Sequence, residues 1–312
     1  MTVPIVHHPA YCAQLDKSHR FPMDKFRAVA ALIRDEGLLE AGRYHKPRPA
    51  PFEWLALAHD SSYVEQVLFC QAPDKIAREI GFPMTEDIAL RARCATGGTV
   101  LTGYLALEHG IACNTAGGSH HARHAQGAGF CVFNDVAVAI RVMQTDGVVK
   151  RALVIDLDVH QGDGTADIFT GDDTVFTFSM HARKNYPVRK VPSDLDIDLE
   201  DCLGDEAYLE RLSEILPKLL KEADFDIVFF NAGVDPFEGD RLGRLALSRQ
   251  GLQNRDELVI QAVRRAGFPL ACVIGGGYSD DIEELADRHV TLHRVASQLH
   301  VKAPARPLEA PA

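Results

Sequence analysis

The stretch ALVIDLDVHQGDG, residues 152–164, decides the fold of this chain. Its opening run is apolar and nearly continuous rather than alternating, which favours a parallel strand buried on both faces. Comparable runs recur along the chain: IACNT from residue 111, TVFTFS from 174, DIVFFNA from 226 and LACVIG from 270. The sequence therefore predicts a sheet of buried parallel strands.

The segments between these runs are amphipathic and predict helices at residues 133–144, 205–223 and 252–267. Because strand and helix patterns alternate from about residue 111, we expect βαβ units and a sheet covered on both faces. The first hundred residues predict helices at 23–39 and 86–110, after a short strand at 4–6. The predicted fold class is α/β: a single-domain, three-layer α/β/α arrangement with a mostly parallel sheet over residues 1–302. The Ala/Pro-rich residues 303–312 predict a disordered tail.

Composition narrows the classes of partner and compartment. The chain has 312 residues with 33 Lys+Arg and 44 Asp+Glu, a formal charge of −11, and no basic run that could follow a phosphate backbone. Direct binding to nucleic acid is therefore not expected. The seven cysteines are scattered without a CxxC pair, which indicates a reducing compartment. Because no signal peptide or apolar run of about 18 residues occurs, we expect a cytoplasmic protein that does not enter membranes. The oligomeric state stays open.

Candidate metal ligands follow two of the predicted strands. In open α/β sheets the functional sites form at the carboxyl ends of strands. Asp156, Asp158 and His160 alternate after the strand at 152, which would place them on one side of an extended segment. Asp235 follows the strand at 226 and could complete a zinc site with Asp158 and His160. A lone aspartate at a strand end is more often a turn or helix cap, but burying this many acidic and imidazole groups is costly without a metal or a partner.

Two further features follow strands. The strand at 270 ends in GGGY, whose glycines allow the chain to swing Tyr278 back toward the sheet edge, where its phenol could donate to an oxyanion. The stretch NTAGGSHHA, residues 114–122, holds the adjacent pair His120 and His121. This pair is open to three interpretations: a metal site, a catalytic pair, or a coincidence in a loop.

Taken together, these motifs resemble the arginase/deacetylase superfamily, specifically its zinc-dependent, histone-deacetylase-like amidohydrolases. The resemblance rests on DLDVHQGDG and on HRFPMDKF (19–26), GGSHHARHAQGAGFCVFND (117–135), NAGVDPFEGDRLG (231–243) and GGGY (275–278). Within the family, the motifs are most similar to the class IV enzymes and their bacterial relatives.

The resemblance implies a role for each site residue. It implies one Zn²⁺ held by Asp158, His160 and Asp235, a Tyr278 that polarises the oxyanion, and two imidazole–carboxylate pairs, His120 with Asp156 and His121 with Asp163. His121 would act as general base and then acid, with His120 stabilising charge. It further implies a structural K⁺ site and the walls of an acyl-lysine tunnel. The K⁺ ligands would be Asp156, Asp158, His160, Met180 and Ser179, and the tunnel residues Gly129, Phe130, Tyr186 and Leu242.

The implied reaction is the hydrolysis of acylated lysine side chains in peptides or proteins, or of acylated small amines. A binuclear ureohydrolase is disfavoured because Gly162 and Phe237 stand where its additional carboxylates would be. Acetylpolyamine hydrolysis remains an alternative, although Leu242 replaces an acidic gatekeeper that some such enzymes use. A non-catalytic acyl-lysine binding protein is a third hypothesis. The acyl length, the relevance of histones and the choice among Zn, Fe and Co stay open.

Overall fold

The computed structural model describes residues 2–16, 18–221 and 224–300. Seven strands lie within them: β1 (Ile5–Val6), β2 (Ile111–Asn114), β3 (Ala152–Asp156), β4 (Val175–Ala182), β5 (Leu195–Leu199), β6 (Ile227–Asn231) and β7 (Leu270–Val273). The same residues form ten α-helices: α1 (Lys25–Asp35), α2 (Phe52–Leu55), α3 (Ser61–Leu68), α4 (Asp74–Ile80), α5 (Glu86–His109), α6 (Asp135–Thr145), α7 (Asp163–Phe169), α8 (Asp205–Lys221), α9 (Arg249–Arg265) and α10 (Ile282–His300).

The strands form one sheet in the order β1-β2-β7-β6-β3-β4-β5, and every neighbouring pair is parallel. Strands β2, β3, β6 and β7 are buried along their whole length, as their continuous apolar sequences predict. One group of helices packs around α5 and α6, and a second group joins α1, α8, α9 and α10. The predicted three-layer α/β/α fold is confirmed.

Local signals explain where the long helices begin and end. Helix α5 begins after Thr85, whose hydroxyl accepts a hydrogen bond from the Ile88 amide at 3.3 Å, and ends at Gly110, which adopts a φ of 83°. Helix α9 begins after Ser248, whose hydroxyl accepts from the Gly251 amide at 3.0 Å. These caps account for helix bounds that differ by a few residues from the predicted ones.

Several elements of the structure were not predicted: the short helices α2, α3, α4 and α7, strand β5 and helix α10. Strand β5 has the sequence LDIDL and lies half exposed at the edge of the sheet, where its aspartates alternate with apolar residues. Helix α10 buries Arg288, His289 and His293 on its inner face, and these polar residues interrupt the apolar pattern that would have marked it. The predicted tail at 303–312 lies outside the described residues.

The order of the strands determines where a site can form. Strands β2, β7, β6 and β3 are consecutive neighbours, so the loops that follow them emerge side by side at one edge of the sheet. These are the loops that carry the candidate residues. In the described part of the chain, no helix combines the length and the apolar character that crossing a bilayer requires.

Candidate active site

The three predicted metal ligands lie together. Asp158, His160 and Asp235 are buried, and their ligand atoms all lie within 4.8 Å of one another. His160 Nδ1 is 3.0 Å from Asp158 Oδ1 and 3.2 Å from Asp235 Oδ2. One argument for this set was wrong in its geometry: the strand ends at Asp156 and the chain then bends, so an extended segment does not bring the residues together. The bend after β3 brings them together instead.

Backbone groups fix both carboxylates of this triad. Asp158 Oδ2 accepts a hydrogen bond from the Gly276 amide at 2.7 Å, and Asp235 Oδ1 accepts from the Val159 amide at 2.9 Å. A β-carbon at Gly276 would lie 2.2 Å from Asp235 Oδ2, so only glycine fits this position. Asp235 Oδ2 is fully buried and, apart from the approach of His160 Nδ1 to 3.2 Å, accepts no hydrogen bond among the described residues.

The ionisable groups of the triad shift one another's pKa values. Burial and the charge of Asp158 raise the pKa of Asp235 to about 7, despite its proximity to His160. Burial lowers the pKa of His160, but its contacts with Asp158 and Asp235 outweigh burial and raise it to about 10. Two buried carboxylates that share one imidazole favour a bound cation.

The adjacent histidines face two different aspartates. His120 Nδ1 lies 2.7 Å from Asp156 Oδ2, and His121 Nδ1 lies 2.6 Å from Asp163 Oδ1. The guanidinium of Arg123 donates to the other oxygen of Asp163 at 2.6 and 3.1 Å. The imidazole rings are buried, with centroids 4.1 Å apart.

The two imidazoles differ in basicity. Burial lowers the pKa of His120, but the charges of Asp156 and Asp158 outweigh it and raise the value to about 9. Burial and the neighbouring His120 lower the pKa of His121 to about 4, against the opposing effect of Asp163. The pair therefore suits one imidazole that holds charge beside another that stays neutral.

Tyr278 is held beside the triad by its backbone and by the packing of its ring. Its backbone amide donates to Asp240 Oδ2 at 2.7 Å, and its ring packs edge-on to His160 with the centroids 6.4 Å apart. Burial raises the pKa of its phenol well above the ordinary value, and the negative charges of Asp235 and Asp158 raise it further. The phenol therefore keeps its proton at neutral pH.

A cavity of about 350 Å³ leads to these groups. Its lining includes His121, His160 and Tyr278 together with the four predicted tunnel residues Gly129, Phe130, Tyr186 and Leu242. The Tyr186 ring packs edge-on to His121 with the centroids 4.7 Å apart. Gly129 and Phe130 adopt φ angles of 52° and 65°, in the left-handed region, and a β-carbon at Gly129 would lie 2.6 Å from His121 Cδ2. This tight turn brings the wall of the cavity against the general-base candidate.

Three of the predicted K⁺ ligands lie on adjoining strands, and the other two, Asp158 and His160, lie in the loop that follows β3. Asp156 on β3 is the registered partner of Ser179 on β4, and Met180 follows Ser179. The Ser179 hydroxyl lies 2.9 Å from His181 Nδ1, and Asp156 Oδ1 accepts from the Asp158 amide at 3.2 Å. The K⁺ site stays a prediction.

Comparison with known proteins identifies the family. Residues 19–293 match the family model described as the histone deacetylase domain. The chain belongs to the histone deacetylase family. An uncharacterized protein of Picosynechococcus sp. is 47% identical over 302 residues, covering 96% of this chain and 100% of that protein. Histone deacetylase 2 of Arabidopsis thaliana is 29% identical over 289 residues, covering 87% of this chain and 75% of its own.

Solved structures share the fold. The crystal structure of the HDA15 HD domain superposes with a TM-score of 0.78 at 21% identity, covering 98% of this chain and 90% of that one. The structure of an HDAC homologue complexed with SAHA gives a TM-score of 0.77 at 24% identity, covering 95% of this chain and 84% of that one. Membership of the histone deacetylase family indicates that this chain is a hydrolase of the deacetylase class.

Several residues that support the site were not predicted from sequence. Asp135 accepts hydrogen bonds from the Gly118 and Ser119 amides at 3.1 and 2.7 Å, and so anchors the loop before the histidine pair. Lys25 is buried and donates to the carbonyls of Gly275 and Gly277 at 3.4 and 3.3 Å, beneath Tyr278. Both stand inside motifs that carried the family resemblance, but neither type of residue signals a backbone-holding role by itself.

Proposed function

We propose that this histone deacetylase family member is a zinc-dependent enzyme that removes acyl groups from lysine side chains. The observation that carries the proposal is the buried triad of Asp158, His160 and Asp235, whose ligand atoms lie within 4.8 Å of one another. His160 lines the same cavity as His121 and Tyr278, so a metal ligand, a candidate proton acceptor and a candidate hydrogen-bond donor share one cavity.

The donor set of the triad fits zinc. Carboxylate oxygens and imidazole nitrogens are both zinc ligands, and a catalytic site takes three protein ligands and keeps a further position open for substrate and water. The buried Oδ2 of Asp235, which accepts no hydrogen bond among the described residues, is the kind of atom that a cation would satisfy. Iron or cobalt would accept the same donors. We also retain the K⁺ site at Asp156, Asp158, His160, Ser179 and Met180 as part of the proposal.

Each remaining residue has a role in the hydrolysis. Zinc held by Asp158, His160 and Asp235 would supply Lewis-acid chemistry at the acyl carbonyl and would lower the pKa of a water molecule toward about 7. His121 accepts the proton of the attacking water at Nε2, because its Nδ1 is engaged by Asp163. His121 then gives this proton to the departing lysine amine. His120, held by Asp156, stabilises the negative charge that develops.

Negative charge develops on the acyl oxygen when the water attacks the carbonyl. Tyr278 donates its hydroxyl hydrogen to this oxygen as the carbonyl becomes tetrahedral. Gly129, Phe130, Tyr186 and Leu242 enclose the acyl-lysine side chain and exclude water from its length. An HDAC homologue of similar fold was solved in complex with SAHA, which supports the proposal that this chain binds a ligand.

Turnover of fluorogenic acyl-lysine peptides tests this function. Peptides with acetyl and longer acyl groups should be hydrolysed, a chelator should abolish turnover, and added Zn²⁺ should restore it. Tyr278→Phe should lower kcat on the order of 100-fold or more with little change in KM, the scale of a lost oxyanion donor. Tyr104→Phe, at a partly buried position of α5 that does not line the cavity, is the matched control. Hydrolysis that survives the chelator, or an unimpaired Tyr278→Phe enzyme, would contradict the proposal, and binding without turnover would identify an acyl-lysine binding protein instead.

We also propose a cytoplasmic location. All seven cysteines lie within the described residues and all are free. Four of them are buried in the core, where a reducing compartment would preserve them as thiols.

A further inference from the structure

The mouth of the cavity is positively charged, although the whole chain carries a formal charge of −11. Three cations from three separate segments line it, Arg20, Lys184 and Arg244, against one carboxylate, Glu79. No basic run in the sequence predicts this cluster, because folding assembles it. We call these four residues the rim.

The rim cations are largely uncompensated. Arg20 is exposed, lies over the Phe130 ring at 4.9 Å, and has no carboxylate within salt-bridge distance among the described residues. Lys184 and Arg244 share one carboxylate oxygen of Asp201, at 3.7 and 3.3 Å, and stay 61% and 55% exposed. A single carboxylate cannot neutralise two cations, so the rim keeps a net positive charge.

The only carboxylate of the rim is itself partly neutralised. Glu79 lies 3.9 Å from Lys75 on the preceding turn of α4. Its backbone carbonyl accepts from the Gly129 amide at 2.9 Å, which places this turn of α4 against the tunnel wall. The negative charge at the mouth is therefore weak compared with that of the cations around it.

The loop after β4 adds to the same surface. Residues 183–190, RKNYPVRK, contain four cations and no carboxylate; Lys184 belongs to the rim, whereas Arg183 pairs with Glu200 and does not line the mouth. Lys190 Nζ donates to the carbonyls of Asn185 and Pro187 at 2.6 and 2.8 Å, which closes the loop. Beside Tyr186, the loop exposes Val188 almost completely, at 97%, and the neighbouring Arg189 is also exposed.

We propose that the enzyme acts on acyl-lysine residues flanked by acidic side chains in protein segments. This inference rests on the proposed function. The acylated lysine is neutral, so the tunnel does not select for charge, and selection falls to residues on either side of it, which lie over the rim. Carboxylates at those positions meet Arg20, Lys184 and Arg244, whereas Lys/Arg-rich segments and acylated polyamines meet like charges.

A matched peptide series tests the preference in the wild-type enzyme. Each peptide carries the same acyl-lysine, flanked by Glu and Asp, by Ser and Ala, or by Lys and Arg. At low salt, kcat/KM should fall by about 10-fold from the acidic to the basic peptide, the range that a few exposed ion pairs supply. The difference should lie in KM rather than kcat and shrink at 0.5 M salt, because the charges are exposed.

Rim variants assign the preference to these residues. Arg20→Gln and Arg244→Gln should each reduce it, and the combined Arg20→Glu and Arg244→Glu should reverse it, while turnover of the neutral peptide reports that each variant is folded. Arg183→Gln is the matched control, because Arg183 pairs with Glu200 at 2.6 Å and does not line the mouth.

Equal turnover of all three peptides, a preference for the basic one, or comparable turnover of an acetylated polyamine would overturn this inference while leaving the proposed deacylase intact. If no acyl-lysine peptide is hydrolysed, the proposed function fails and the inference fails with it.

Discussion

The adjacent histidines reach one cavity because the residues before them fold sharply. Gly117 and Gly118 adopt φ angles of 87° and 85°, which other residues resist, and Asp135 holds the amides that follow. This turn presents His120 and His121 side by side, so that each meets its own aspartate. Two adjacent side chains can therefore carry different charges at the same cavity.

A third histidine supports this loop from behind. His59 is buried, its Nδ1–H donates to the Arg123 carbonyl at 2.9 Å, and its Nε2 accepts from the Asn134 amide at 2.9 Å. Only the neutral imidazole can do both. Burial lowers the pKa of His59 to about 4.

Acidification should therefore destabilise the protein through His59. In the unfolded chain a histidine titrates near pKa 6.5, so between pH 6.5 and about 4 the unfolded state binds the additional proton. The free energy of unfolding should fall as the pH falls through this window, by about 3 kcal/mol in total from this group. Urea unfolding at stepped pH should give a shallower pH dependence for His59→Gln than for the wild type. His109→Gln, at the end of α5, should retain the wild-type slope, and equal slopes for His59→Gln and wild type would refute the assignment.

At the scale of elements, one arginine ties α9 to the loops that carry the metal triad. Arg255 is fully buried and its guanidinium donates to the carbonyls of Gly233 at 2.5 Å, Leu157 at 3.3 Å and Ala232 at 3.4 Å. Its charge is balanced by Asp256, whose carboxylate lies 2.8 Å away. Since Asp158 and Asp235 follow these carbonyls within a few residues, Arg255 fixes the ends of β3 and β6 relative to each other.

Removal of Arg255 should be costly. Arg255→Met leaves the Asp256 carboxylate buried without a partner, which should lower the free energy of unfolding by about 3–5 kcal/mol in urea denaturation. The double variant Arg255→Met, Asp256→Leu should lose less than Arg255→Met alone, because it buries no unpaired charge. Arg265→Met, an exposed position on the same helix, should change stability by about 0.5 kcal/mol or less. If Arg255→Met were as stable as Arg265→Met, the contacts of Arg255 would contribute nothing to the free energy of unfolding.

An element can be predicted from the sequence when its own residues carry the pattern that is typical of it. Buried central strands such as β3 and β6 could be predicted because a short, continuous apolar run bounded by polar residues is typical of a strand buried on both faces. Strand β5 could not, because an edge strand with aspartates at alternate positions lacks that pattern. Helix α10 was missed for a related reason: His289 and His293 occupy its buried face. Such residues are recognisable only when their neighbours in space are known.

At the scale of the molecule, the parallel sheet assembles the site. It brings loops from four neighbouring strands to one edge, so motifs that are widely separated in sequence converge. The metal ligands and Tyr278 could be predicted because they lie in the loops that follow strands, whereas the roles of the histidine pair came from the family resemblance. The charge of the mouth could not, because Arg20, Glu79, Lys184 and Arg244 come from segments with no common pattern.

Because these loops converge, a metal bound between them would also stabilise the whole fold. Without a cation, Asp158 and Asp235 are buried like charges that share His160, and a bound metal would join the ends of β3 and β6. Because the unfolded chain lacks this site, zinc at a concentration a hundredfold above its Kd should add about 2.7 kcal/mol to the free energy of unfolding. Thermal melts with zinc and with chelator should therefore differ by several degrees.

A matched pair of variants separates this effect from nonspecific binding. Asp235→Asn removes a charge from the triad and should lose most of the zinc-dependent rise in Tm. Glu238→Gln removes the same charge from an exposed position of the same loop and should keep the rise. If Asp235→Asn responds to zinc as the wild type does, the metal binds elsewhere, and the convergence of β3 and β6 would then serve packing rather than metal binding.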